Sequence, residues 1–284
     1  MAGFDALLPA AMARKAEEVG AAKARTPLAR LFTLAVLGGA FIAFGANFAT
    51  VATSEAATAI GVGPARVLAG LVFSVGLVLV VVAGAELFTG NNLLVMACVA
   101  RRLSLTGLLR NWAVVYLGNL CGAVGVAWLV YLARQHENAG GAIGRSALEI
   151  ATAKAALDPV EAVARGVLAN ILVCLAVWLC LAARTVTDKI LAIVLPISAF
   201  VAAGFEHSIA NMYFLPVGLF IKHGASDSFW TSAGTTPDTY HDLTWSNAVI
   251  GNLLPVTVGN IIGGSVLVGL VYAFVYRPPR RDTP

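Results

Sequence analysis

The chain has 284 residues, of which 59% are hydrophobic and only 12% charged, with a formal net charge of +4 and a mean hydropathy of +0.83. Soluble domains average roughly 45–50% apolar and ~25% charged residues, so too few charges exist here to cover a water-facing surface, and most apolar side chains must face lipid. Disorder, a secreted disulfide scaffold, a collagen-like fibre and a nucleic-acid-binding domain all match this composition poorly.

The first thirty residues hold Arg14, Lys15, Glu17, Glu18, Lys23, Arg25 and Arg30. No short apolar run with a cleavage site precedes them, so they do not read as a signal peptide. Phe4, Leu7, Leu8, Met12 and Val19 instead suggest a short amphipathic helix at the membrane surface. A helix needs about 20 mostly apolar residues to span a bilayer, and continuous candidates lie near 31–52, 107–132, 160–183 and 246–276. Two further regions, 66–100 and 189–221, are too long for one plain span, and each carries a polar interruption, Glu86 to Asn92 and Glu206 to Asn211. Counted as single broken helices, they bring the total to six crossings, which puts both termini on one side.

Lysine and arginine decide which side. Thirteen fall with the termini, including Arg101, Arg102, Arg110, Arg184, Lys189, Arg277, Arg280 and Arg281, against six opposite them: Arg66, Arg134, Arg145, Lys154, Arg165 and Lys222. The termini are therefore expected in the cytoplasm. The cysteines Cys98, Cys121, Cys174 and Cys180 all sit in apolar stretches without a CxxC pair and read as small buried hydrophobes, with no metal site or cofactor implied.

An internal repeat marks the site. Gly84-Ala85-Glu86-Leu87-Phe88-Thr89-Gly90-Asn91 shares Gly, Glu and Asn at the same offsets with Gly204-Phe205-Glu206-His207-Ser208-Ile209-Ala210-Asn211. Gly118-Asn119-Leu120-Cys121-Gly122 pairs in the same way with Gly259-Asn260-Ile261-Ile262-Gly263. Three crossings separate the paired motifs, so the halves are expected upside down relative to each other, as in many transporters with a midplane site. A helix broken in hydrocarbon frees backbone groups that only protein or water can satisfy, and the freed helix N-terminus favours an anion.

Glu86 is read as a cap on its half-helix. For Glu206, capping and a role in the site both stay open because His207 adjoins it. Asn91 and Asn211 are read as satisfying backbone groups, and the Gly118/Gly122 and Gly259/Gly263 pairs as close-packing motifs. His136, His223 and His241 fall in polar loops, whereas His207 lies at membrane depth, where an ionisable side chain is a functional candidate. It reads either as a proton donor to a passing weak acid or as a neutral imidazole bonded to a backbone carbonyl. HExxH, GxxxxGK[ST] and GxSxG are absent, which argues against an enzyme. The lack of paired Asn-Pro-Ala tripeptides argues against a neutral-solute pore.

Glu86-Leu87-Phe88-Thr89, Phe205-Glu206-His207-Ser208-Ile209-Ala210-Asn211-Met212 and Pro255-Val256-Thr257-Val258-Gly259-Asn260-Ile261-Ile262-Gly263 resemble the signatures of the formate/nitrite transporter family. The opening Phe4 to Ala13 resembles its formate-channel branch. The resemblance covers almost the whole chain. It implies an all-α polytopic protein of the bacterial inner membrane with six transmembrane helices, two of them broken, in an inverted 3+3 repeat of aquaporin-like fold. Residues 1–30 would form a cytoplasmic amphipathic segment able to close the mouth, 31–276 the channel domain and 277–284 a cytoplasmic tail. A homopentamer with one pore per protomer would pass formate and similar small monovalent anions, nitrite or hydrosulfide being the alternative. Phe73, Leu77, Val173 and Phe200 would form apolar constrictions, Thr89 and His207 would face the solute between them, and Lys154 and Asn170 would lie near the outer vestibule. Position 86 is Glu where formate-channel relatives often carry Asp, a change that leaves a capping role intact.

Overall fold

The computed structural model describes residues 6–276. Among these the chain is helical with no strand. Five helices are long and apolar enough to cross a membrane: α2 (Leu28–Thr53), α3 (Val62–Gly84), α5 (Leu105–Leu132), α7 (Pro159–Ala182) and α11 (Asn247–Tyr276). Shorter helices include α1 (Pro9–Ala24), α4 (Gly90–Val99), α6 (Ala142–Ala155), α8 (Val186–Ala202), α9 (Ser208–Gly224) and α10 (Asp227–Ala233).

Local chemistry sets the helix starts. The Ser104 hydroxyl accepts from the Gly107 amide at the head of α5, and Asp158 accepts from Val160 ahead of Pro159 at the head of α7. Thr185 and Asp188 form a reciprocal capping box on α8.

Two helix pairs carry the packing, and both close on glycine. α2 runs along α5, and α7 along α11. A Cβ at Gly122 would collide with the carbonyl oxygen of Val36, and one at Gly118 with the Ala35 side chain. The second pair repeats the device, since Gly259 and Gly263 press on the carbonyls of Val163 and Val167. Lipid supplies no hydrophobic drive for helices to associate, so close backbone approach and interhelical hydrogen bonds must provide it.

Two expectations change. α1 buries Met12, Ala13, Ala16 and Gly20 against α4, α7 and α11, while Leu8 and Val19 are exposed and Leu7 is half-buried. The helix is thus docked on protein by its small residues; Phe4 lies outside the described residues, as do Arg277, Arg280 and Arg281. Cys174 and Cys180 are buried, but Cys98 is half-buried and Cys121 exposed, because Cys121 shares the outward face of α5 with Leu117, four residues earlier. Region 189–221, expected to carry a polar interruption, is divided into α8 and α9, each of 17 residues.

Candidate functional site

Two of the interruptions in the helical course match. Residues 85–89 separate α3 from α4, and residues 203–207 separate α8 from α9. Gly84 and Gly204, at the two stops, take φ of +87° and +72°. A Cβ at either would meet nothing within 4 Å, so glycine is needed there for its left-handed backbone and not for space. Ala85 N then donates to Val80 O at 2.9 Å and Phe205 N to Phe200 O at 3.0 Å.

Beyond each glycine the bonding repeats residue for residue. Glu86 N donates to Leu34 O, and Glu206 N to Arg165 O. The Asn119 amide donates to Ala35 O and Glu86 O and accepts from Phe88 N; the Asn260 amide donates to Gly166 O and Glu206 O and accepts from Ser208 N. All these groups sit deep in the protein, where an unmade hydrogen bond costs about 1–3 kcal/mol. Each asparagine therefore stitches one helix break to the long helix pair beside it.

The carboxylates do something other than cap. Glu86 Oε2 accepts from Lys23 Nζ at 3.1 Å and from Asn91 Nδ2 at 2.7 Å, and Asn91 Nδ2 also donates to Asn111 Oδ1. Glu206 accepts from Lys154 Nζ at 2.8 Å and Asn211 Nδ2 at 2.6 Å, and Asn211 Nδ2 donates to Asn252 Oδ1. The capping expectation for Glu86 is corrected accordingly, and so is the backbone-satisfying expectation for Asn91 and Asn211. A buried carboxylate needs a cation and full hydrogen bonding, and lysine with asparagine supplies both, while Asn119 and Asn260 meet the backbone's needs.

Two cavities approach this centre. One, of about 590 Å³, is lined by Lys15, Lys23, Arg30, Arg184, Lys189 and Glu86 and reaches Leu77. The other, of about 320 Å³, is lined by Arg66, Lys154, Arg165 and Glu206 and reaches Phe73, Phe200 and His207. Phe73 and Phe200 meet edge to face with centroids 5.7 Å apart, and the His207 ring stacks on Phe200 at 5.9 Å. Phe73, Leu77, Phe200 and His207 are each no more than 3% exposed.

Beside them, Thr89 Oγ1 lies 2.8 Å from His207 Nε2. His207 Nδ1 accepts from the Ala210 backbone amide at 3.1 Å. A nitrogen that accepts carries no hydrogen, so in the neutral ring Nε2 holds the proton and donates to Thr89. The imidazole is bonded to a backbone N–H, where the bland alternative expected a carbonyl.

Other expected residues lie elsewhere. Asn170 is fully buried and donates to Asn92 Oδ1 at 2.9 Å and Asn260 O at 2.7 Å, so it ties α7 to the region after the first break and stands at no vestibule. Val173 packs in the same interior and lines neither cavity. Lys154 does line the smaller cavity. Missed in the sequence were Lys23, Asn111, Asn252 and the amides of Asn119 and Asn260. A signal was present, because Asn111/Asn119 and Asn252/Asn260 share the same eight-residue interval, two helical turns on one face.

Fold and site together are those of a multi-pass helical membrane protein with a buried centre approached by two cation-lined cavities. The formate/nitrite transporter family profile matches residues 10–274. Over 273 residues the chain is 45% identical to the formate channel FocA of Escherichia coli (strain K12), covering 96% of this chain and 95% of that protein. It is 38% identical over 270 residues to the formate channel FocA of Haemophilus influenzae, covering 95% of each. A solved pentameric formate channel with formate bound superposes with a TM-score of 0.83 at 42% identity, over 88% of this chain and 97% of that one. The chain belongs to the formate/nitrite transporter family, a family of transporters and not of enzymes.

Proposed function

We propose that the protein carries formate and similar small monovalent anions across the bacterial inner membrane, passively or coupled to protons, through one pore in each protomer of a homopentamer. The observation that carries this reading is the Thr89–His207 pair, sealed by Phe73, Leu77 and Phe200 between two cation-lined cavities. The 45% identity to a formate channel supports the choice of solute.

On this reading α3 with α4 and α8 with α9 each make one broken crossing, which brings the crossings to six. The matched bonding of Glu86/Asn91/Asn111/Asn119 and Glu206/Asn211/Asn252/Asn260 supports two inverted halves of aquaporin-like fold. Residues 31–276 form the channel domain, and 1–30 and 277–284 lie in the cytoplasm, the side favoured by thirteen of the nineteen basic residues. α1, whose Lys15 and Lys23 line the larger cavity, then stands at the cytoplasmic mouth.

The residues divide the work. The cavities' cations draw an anion in; Lys154 does this in the smaller one. At the seal an anion loses water, at a cost set by its charge, and the Nε2–H of His207 and the Thr89 hydroxyl replace part of that hydration. Full proton transfer requires an imidazolium, whose Nδ1–H cannot face the Ala210 N–H, so it forfeits a bond whose loss costs about 1–3 kcal/mol. That penalty makes protonation transient, as sharing a proton with a passing weak acid requires.

Stopped-flow light scattering on proteoliposomes tests the reading. Vesicles should swell with sodium formate and not with glycerol, and His207→Phe should flatten the pH dependence of formate flux. Swelling with glycerol would refute the anion pore; an unchanged rate and pH profile in His207→Phe would remove the proton role. Faster flux with nitrite or hydrosulfide than with formate would reassign the solute.

A further inference from the structure

The two cavities differ in charge as well as size. The smaller carries Arg66, Lys154 and Arg165 against Glu206. The larger carries Lys15, Lys23, Arg30, Arg184 and Lys189 against Glu86. Five cations facing one carboxylate is more than a formate-sized anion needs. Some of this charge is committed: Lys23 lies between Glu86 and Asn91, and Lys15 donates to Leu181 O. Arg30 and Lys189 have no ion-pair partner among the described residues, although both face the cavity. The cations also come from three separate segments, namely α1, the first turn of α2, and the α7–α8 corner with the first turn of α8.

We infer that the larger cavity is a binding site for a multivalent organic anion of the di- or tricarboxylate class, which plugs the mouth without passing through. The inference rests on the pore reading above. Attraction to fixed cations rises in proportion to the charge on the solute, whereas the cost of entering an apolar seal rises with its square. A monovalent anion therefore continues to Leu77 and Phe73. A multivalent one is held more tightly at Arg30 and Lys189 and is refused more strongly at the seal. A volume of about 590 Å³ accommodates a tricarboxylate together with part of its hydration. Because its carboxylates would span cations on three segments, the bound anion would also clamp α1 to the rest of the protein.

Citrate is the probe, used with the full chain in detergent and in proteoliposomes, always against chloride at matched ionic strength. Calorimetric titration should show saturable citrate binding that weakens about tenfold or more in Arg30→Gln/Lys189→Gln, in line with the loss of two cationic contacts, and persists in Arg66→Gln at the other cavity. Citrate should raise the unfolding temperature of the unaltered protein more than chloride does, and the double variant should lose that difference. In vesicles, citrate should slow formate flux relative to each protein's own citrate-free rate, and the double variant should escape this block. Binding equal in the double variant, or no greater than chloride explains, overturns the site. If vesicles pass no formate at all, the pore reading fails, while the citrate titration still decides the site by itself.

Discussion

Lys154 shows how one side chain serves two demands. Its ammonium lies 2.8 Å from Glu206 and also lines the smaller cavity, where it sits 5.3 Å from the centroid of the Phe214 ring. The pair is buried, with the carboxylate side chain only 4% exposed. Removing one partner of such a pair leaves an uncompensated charge, a loss of about 3–5 kcal/mol. Lys154→Met should therefore lower the unfolding temperature sharply. Glu206→Gln added to it should recover most of the loss, since a neutral amide still bonds Asn211 and Asn252. A double variant no more stable than Lys154→Met would show that the pair does not act through charge. Residue roles were legible to different depths. His207 stood out because an ionisable side chain at membrane depth is rare, whereas Lys23 looked like one of several charges on a polar segment and only packing sends it to Glu86.

Among the helices, close approach and polar stitching decide what holds. Gly122 and Gly125 occupy the same helix with opposite surroundings: one presses on the backbone of α2, and the other has nothing within 4 Å of its Cβ position. Gly122→Val should therefore destabilise by at least the ~1–3 kcal/mol typical of overpacking, because the obstacle is a carbonyl that cannot swing aside. Gly125→Ala should be neutral, or stabilising by up to about 1 kcal/mol through helix propensity. Denaturation in mild detergent distinguishes them, and equal effects would mean the α2–α5 seam is not the constraint.

The turn after α5 has its own pH dependence. His136 is buried between Tyr131, stacked at 5.4 Å, and Phe229, edge-on at 5.2 Å. Burial pushes its imidazole below the usual histidine value, with Glu137 opposing and Arg134 adding to the effect. The unfolded chain then takes up a proton below about pH 6.5 before the folded one does, so stability is full above that pH and falls as pH drops. His136→Phe should flatten that fall in thermal unfolding at pH 7.5 and 5; an unchanged slope would place the sensitivity elsewhere.

For the molecule as a whole, exposed apolar side chains along several helices, such as Leu191, Leu195 and Phe274, require lipid or neighbouring protomers. Native mass spectrometry from mild detergent should give five times the 29.4 kDa chain. Mixed pentamers with His207→Phe should lose the wild-type pH profile in proportion to the altered fraction, as independent pores require. A stable monomer would contradict the pentamer, and an all-or-none loss would contradict one pore per protomer.

Composition and periodicity by themselves determined that this chain lives in lipid, roughly where its long helices run, and that two polar interruptions repeat. Hydrophobicity and helix length are properties of contiguous residues, so they can be read along a line. The chain alone could not determine that Asn119 and Asn260, rather than Glu86 and Glu206, satisfy the broken backbone. Nor could it show that Lys23 crosses from α1 to Glu86, or that Asn170 belongs to the interior. Those are pairings between residues 31 to 94 positions apart, and burial and hydrogen-bond geometry select them only once the helices have packed.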